Sequence, residues 1–202
     1  MQRLQTVTLQ GAHVRLEPLH ISHLEGLQDA VQDGELWKLW YTPIPSVEGM
    51  EAEILRRLTL QAGGSMLAFT VMDVQQKRVA GMTTYMNIDT PNRRLEIGST
   101  WYRRSVQRTS LNTECKRLLL GHAFEELACI AVEFRTHVFN QQSRRAIERL
   151  GARLDGILRH HQINTHPSAE QALRDTCVYS IIDSEWSNVK LHLDHQLNRN
   201  RH

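Results

Sequence analysis

Residues 95–151 alternate between strand and helix periodicity, and this constrains the fold more than any other part of the chain. They read as a strand, a polar arginine-bearing turn, a helix, a buried strand and a second helix stopped by Gly151. Where a strand runs through a turn into a helix, the first-turn N–H groups are unpaired and the positive end of the dipole lies beside them, a ready site for an anion. Arg103, Arg104 and Arg108 add charge there, and Thr109, Ser110, Asn112 and Thr113 add hydrogen-bonding groups. The segment predicts a binding place for a phosphate-bearing cofactor inside one α/β domain. The competing reading is a solvated loop with a capped helix, since no glycine in the turn allows a close backbone approach.

The flanking sequence supplies the remaining layers. Val14, Leu16 and Pro18 alternate as a strand, and Ser22 with Glu25 predicts a capping box for a helix to about Val31. Pro43 and Pro45 break the chain after an apolar cluster at 36–41, and Ser46 predicts the cap of a second helix reaching Gln61. Three strands follow at 66–72, 78–88 and 94–102, with a turn at 89–92. Past the polar turn come a helix at 112–128, a strand at 130–138, a helix at 140–150, strands at 153–162 and 176–182, and a helix from Ser184 that frays after Leu197. The expected architecture is a single α/β (α+β) domain over residues 1–202 with its core at about 13–186, a mixed sheet with helices packed on it.

Bulk properties exclude several classes of function. Lys plus Arg number 24 against 22 Asp plus Glu, and the net charge of +2 gives no global pull toward nucleic acid or acidic membranes. No apolar run approaches the ~18 residues of a membrane span, so no membrane partner is expected. Cys115, Cys129 and Cys177 form no ligand motif and read as reduced thiols of a cytoplasmic protein. Of 11 histidines, His20 with His23 and His160 with His161 are the closest groupings, and neither has a third ligand at metal spacing. No metal is expected.

The element order, together with Glu96-Ile97-Gly98, Asn112-Thr113-Glu114-Cys115-Lys116, Asn140-Gln141-Gln142-Ser143 and Glu148-Arg149-Leu150-Gly151-Ala152, resembles the GCN5-related N-acetyltransferase (GNAT) superfamily. The phrases are most similar to its branch of ribosomal-protein-alanine N-acetyltransferases. The resemblance implies a mostly antiparallel sheet split into a V-shaped gap that holds acetyl-CoA. It places the pyrophosphate on Arg108, Thr109, Ser110, Leu111, Asn112 and Thr113, and the pantetheine arm on main-chain groups of Trp101, Tyr102 and Arg103 and on Asn140. The family's turn reads Q/R-x-x-G-x-G/A, and this chain has Ser105, Arg108 and Ser110 at the fixed positions, where a negative φ would accommodate a Cβ.

Acetyl transfer by direct attack needs a group to deprotonate the ammonium and a proton for the leaving thiolate. The resemblance nominates Glu96 as the base, with Glu133 in reserve; on sequence alone Glu96 reads equally as an edge-strand carboxylate paired with Arg94 or Arg135. Ser143 matches the serine proposed to protonate the thiolate, or serves only the helix N-terminus. The family's tyrosine seven residues past the asparagine is Ile147 here. Trp37, Trp40 and Tyr41 fall where the family shapes its acceptor pocket, and the loops at 36–49 and 161–173 are the expected acceptor walls. The expected partner is a primary amine on a protein N-terminus or small molecule, and a homodimer is an open assembly. Two rivals remain: a GNAT-like acyl-CoA or anion-binding module that has lost transfer, and an RNA- or ribosome-associated protein using Arg103, Arg104, Arg108, Lys116 and Arg117.

Overall fold

The computed structural model describes residues 4–199. Its strands are β1 (Leu9–Gln10), β2 (Val14–Pro18), β3 (Met66–Asp73), β4 (Arg78–Asp89), β5 (Arg94–Tyr102), β6 (Ala131–His137), β7 (Arg153–Ile163) and β8 (Leu173–Ile182). Its helices are α1 (Leu24–Gln32), α2 (Met50–Ala62), α3 (Ser110–Gly121), α4 (Gln141–Arg149) and α5 (Asp183–Arg199). The strands form one sheet in the order β1-β2-β3-β4-β5-β6-β8-β7, with β5 and β6 its parallel pair. A parallel step requires a long crossover, and α3 provides it.

Strand alternation sends side chains to both faces, and each face has its own core. Val14, Leu16, Phe69, Leu95, Ile97, Val132 and Phe134 pack against Leu111, Cys115 and Leu119 of α3 and Trp186 and Leu193 of α5. On the other face Ala68, Met82 and Trp101 pack against Leu27, Val31, Met50 and Ile54 from α1 and α2. The three cysteines are buried, and no disulfide links them. No helix among the described residues is long and apolar enough to cross a membrane.

The expected element order holds, with the short β1 added ahead of it. Several boundaries differ, each for a local reason. The first helix is entered through a 3-10 turn, so its capping box is made by His20 and His23 rather than Ser22 and Glu25. Ser46 does cap, but its Oγ accepts from the Gly49 N–H at 3.1 Å in a turn that precedes α2. Helix α3 starts at Ser110 because Thr109 is its N-cap, and it closes in a single π turn over 122–126 instead of running to Ala128. Helix α5 continues through Arg199, past the expected fraying at Leu197; residues 200–202 lie outside the described ones.

Glu114 ties α3 to the start of the sheet. Its carboxylate, buried, accepts from the backbone N–H groups of Ala12 (3.0 Å), His13 (2.6 Å) and Val14 (2.8 Å). Charge-assisted bonds from three successive N–H groups to one buried carboxylate are hard to replace. Glu114→Gln keeps the shape and loses the charge, and should cost about 1.5 kcal/mol in urea unfolding; an unchanged midpoint would show that these bonds contribute nothing net.

Candidate active site

The geometry of the site follows from where one ladder stops. β5 and β6 pair only over Arg94↔Ala131, Leu95↔Val132 and Glu96↔Glu133. Beyond that point β5 stays with β4 as far as Tyr102, while β6 stays with β8 as far as His137. The strands part at Glu96, and the gap opens between residues 97–102 and 134–137. Strand β5 is thus a central strand and not an edge strand, while the pairing of Glu96 with Arg135 that the competing reading expected is present.

Leu95 and Ile97 face the α3 core, so Glu96 faces the other way, into the fork, and is only 5% exposed. Gly98 makes room for it: a Cβ there would lie 2.8 Å from Glu96 Oε1. Asn87, at a bulge in β4 with φ +48, a conformation asparagine tolerates, donates from Nδ2 to Glu96 Oε2 at 2.7 Å. Arg135 Nε stands 3.5 Å from the same oxygen. Burial pushes the Glu96 carboxyl above its ordinary range and Glu133 adds to this, against the lowering influence of Asn87, Arg135 and Arg174. Glu133 is differently placed, ion-paired to both Arg94 and Arg135. Both of its oxygens are engaged by guanidiniums, so Glu133 is the less available of the two carboxylates.

At the far end of β5 a 3-10 turn over 104–106 leads into the N-terminus of α3. Thr109 accepts from the Leu111 N–H at 3.3 Å, and Ser110 and Asn112 sit half-buried in the first turn while Leu111 and Thr113 are buried. Arg108 is exposed, but at φ +63 rather than the negative φ expected, so the turn keeps the left-handed backbone that suits glycine and strains an arginine to obtain it. The side chain of Arg103 does not reach the turn. It is buried against α1 in an ion pair with Asp29 at 2.5 Å. The side chains of Trp101 and Tyr102 are buried in opposite cores, and the Tyr102 carbonyl accepts from Gln107 Nε2 at 2.9 Å.

Across the gap, Asn140 caps α4 by accepting from the Ser143 N–H at 3.0 Å. Ser143 is half-buried, and among the described residues its hydroxyl has no hydrogen-bond partner, so the capping role falls to its main chain alone. Gln142 Nε2 donates to Gln107 Oε1 at 3.2 Å, bringing the α3 turn and the α4 N-terminus together. Ile147 is buried in the core.

The two expected acceptor loops meet. Asn164 Nδ2 donates to the Trp40 carbonyl at 3.1 Å and His166 Nε2 to the Trp37 carbonyl at 3.2 Å. With the start of α2 they enclose a cavity of about 630 Å³ lined by Trp37, Pro43, Ile44, Glu53, Arg56 and His166 among others. Trp40 stands edge-on to His137, 5.2 Å between centroids, and Phe139 stacks on His137 at 5.6 Å. His137 accepts from the Phe139 N–H on Nδ1, and burial lowers its pKa, so the ring is a neutral wall at the end of β6. Sequence reasoning weighed histidines only as metal ligands and missed it; its place three residues before Asn140 was the available signal. Among the described residues no group of three His, Cys, Asp or Glu could hold a metal ion.

The basic residues of the RNA reading disperse. Arg103 pairs with Asp29, Lys116 is buried under β5, and Arg117 pairs with Asp194 at 2.8 Å and lies over the Trp186 ring. Only Arg104 and Arg108 of the five remain exposed.

Comparison with known proteins agrees with this geometry. The chain is 30% identical over 120 residues to the "Putative ribosomal N-acetyltransferase YdaF" of Bacillus subtilis (strain 168), covering 55% of this chain and 58% of that one. It superposes on a GCN5-related N-acetyltransferase from Brucella melitensis with a TM-score of 0.84 at 29% identity, over 97% of this chain and 87% of that one. The fold is also that of RimL, a ribosomal L7/L12 alpha-N-protein acetyltransferase, with a TM-score of 0.76 at 18% identity over 90% and 97% of the two chains. Residues 13–153 match the Acetyltransferase (GNAT) domain family, and the chain therefore belongs to that family of acetyl-transferring enzymes.

Proposed function

We propose that this enzyme moves an acetyl group from acetyl-CoA to a primary amine, on a protein N-terminus or a small molecule, by direct attack of the amine on the thioester. The observation that carries the reading is Glu96, a buried carboxylate with a raised pKa at the point where β5 and β6 part. A base whose pKa is pushed toward neutrality takes a proton from an ammonium more effectively than an ordinary surface carboxylate. Acetyl-CoA lies in the gap, its pyrophosphate at the start of α3 by Arg108 and the 109–113 amides, its pantetheine along the main chain of 101–103 and by Asn140. Glu96 takes a proton from the ammonium, and the freed amine nitrogen attacks the thioester carbonyl carbon. As the C–S bond of the tetrahedral intermediate breaks, the departing thiolate takes a proton from the Ser143 hydroxyl, which takes up in turn the second proton shed by the nitrogen. A relative named as a ribosomal N-acetyltransferase supports a ribosomal acceptor, and the cavity beside Trp37 is the place for it. Three buried cysteines with no disulfide linking them suit a reducing cytoplasm.

A second reading, binding without transfer, draws on Ile147 in the tyrosine position and on the strained Arg108 turn. Titration calorimetry with acetyl-CoA, followed by thiol release across free peptides, N-terminally blocked peptides and small amines, separates the two. Heat with turnover supports transfer; heat alone supports the binding module; no heat defeats both. Arg108→Gly adds a check on the turn. It relieves the left-handed strain while removing one charge from the phosphates, so affinity for coenzyme A should fall about fivefold and become less salt-sensitive, with the melting temperature unchanged or raised. Unchanged affinity would remove Arg108 from the site.

A further inference from the structure

Just past Glu96, β5 bulges. Between the pairs Thr84↔Gly98 and Met82↔Trp101 the single residue Thr83 opposes Ser99 and Thr100, and Ser99 takes φ +46. Two buried cations hold this bulge from opposite faces of the sheet. From α2, Arg57, 2% exposed, donates from Nη1 to Thr84 Oγ1 at 2.7 Å and from both Nη1 and Nη2 to the Ser99 carbonyl at 3.3 Å; its Nε is held by Glu53 at 2.7 Å. From α3, Lys116, 6% exposed, donates to Thr100 Oγ1 at 2.9 Å and Thr83 Oγ1 at 3.2 Å, and those two hydroxyls lie 2.7 Å apart.

Lys116 is hard to explain as packing. Its hydrogen-bond partners are hydroxyls and, among the described residues, no carboxylate pairs with it; burial lowers the ammonium's pKa. A desolvated ammonium with neutral partners costs stability, and a methionine would fill the same volume without that cost. What the ammonium does provide is a fixed hydrogen-bonding anchor under Thr100. Arg57 does the same above Ser99 and also links the bulge to Glu53, a wall of the 630 Å³ cavity. The bulge lies within the part of β5, residues 97–102, that faces the open gap, three residues past Glu96.

The geometry points to Arg57 and Lys116 as positioning residues for acetyl transfer, pinning Ser99 and Thr100 from both faces so that the β5 side of the gap is rigid where the thioester meets the amine. This rests on the gap being the acetyl-CoA groove. Neither side chain touches the reacting atoms; both act through the strand.

Lys116→Met separates positioning from stability. The expected result is a melting temperature equal to or above that of the unsubstituted protein, amide exchange at 99–101 faster by about tenfold, kcat lower by about tenfold or more and acetyl-CoA Kd within about threefold. Arg57→Lys, which keeps the charge and loses the fork, is expected to show the same split with a smaller kcat loss, and it carries the test if the methionine variant fails to fold. In a folded variant, a kcat within about twofold of the unsubstituted enzyme or unchanged exchange at 99–101 overturns the assignment, and so does a kcat loss in Arg57→Lys matched by loss of fold. Absent turnover in the unsubstituted enzyme is instead the failure of the transfer reading, and the exchange measurement then decides alone whether the cations pin the bulge.

Discussion

Glu96→Gln lowers kcat for acetyl transfer by about 10²-fold or more while the Kd for acetyl-CoA stays within about threefold, the size expected for losing a general base. The amide is isosteric and its oxygen still accepts from Asn87, so the fork between β5 and β6 keeps its shape. Its pH dependence gives a second signature. The base must be ionised, so kcat/KM falls as pH drops through the Glu96 pKa, and because burial raises that pKa the acid limb lies above the ordinary carboxylate range. The substitution removes the limb. Stability runs in the opposite sense: a carboxyl whose folded pKa is raised favours folding when protonated, and that contribution is lost as pH rises through the folded pKa. At neutral pH the glutamine variant is therefore at least as stable as the unsubstituted enzyme. Activity equal to the unsubstituted enzyme across the pH range would take Glu96 out of the mechanism.

The sequence made the elements legible because most are written by periodicity, and the helix at 112–128 erred only at its ends, where a threonine cap and a π turn decide the boundaries. The Asn112-Thr113-Glu114-Cys115-Lys116 phrase pointed to the right family for reasons the sequence does not disclose. Glu114 fastens the N-terminal strand, Cys115 fills the α3 core and Lys116 anchors the β5 bulge, so three of the five residues are architectural neighbours of the site.

Charge was legible as composition and illegible as placement. Arg103 and Arg108 are five residues apart in one turn, and one is buried against Asp29 while the other is exposed at the helix start. Which way each side chain turns depends on α1, which approaches from a distant part of the chain. The same holds for the fork: Asn87, Arg135 and Arg174 come from β4, β6 and β8, and only pairing across the sheet brings them to Glu96. The left-handed backbone of Arg108 went unread because an arginine gives no local sign of positive φ, whereas a glycine would have.

A glycine with such a requirement does stand on the opposite side of β5, and its substitution should have the largest effect on folding. Gly81 takes φ +156, and a Cβ on it would lie 2.0 Å from the Trp101 carbonyl oxygen. It sits beside a bulge where β3 pairing skips Ala80, and the Ala80 carbonyl accepts from the Arg103 N–H at 2.8 Å. The close approach of β4 to 101–103 is what presents that main chain to the gap. Gly81→Ala must either hold a near-forbidden φ or push β5 away, and both break the Gly81↔Tyr102 pairing. The expected loss is about 3 kcal/mol or more in urea unfolding, accompanied by weakened acetyl-CoA binding in whatever fraction stays folded. Gly156→Ala in β7, where an added Cβ meets no atom within 4 Å, is the matched control; it should move stability by under about 0.5 kcal/mol. Equal effects at the two positions would mean that the cost is the general loss of glycine flexibility and not the approach of β4 to the main chain of 101–103.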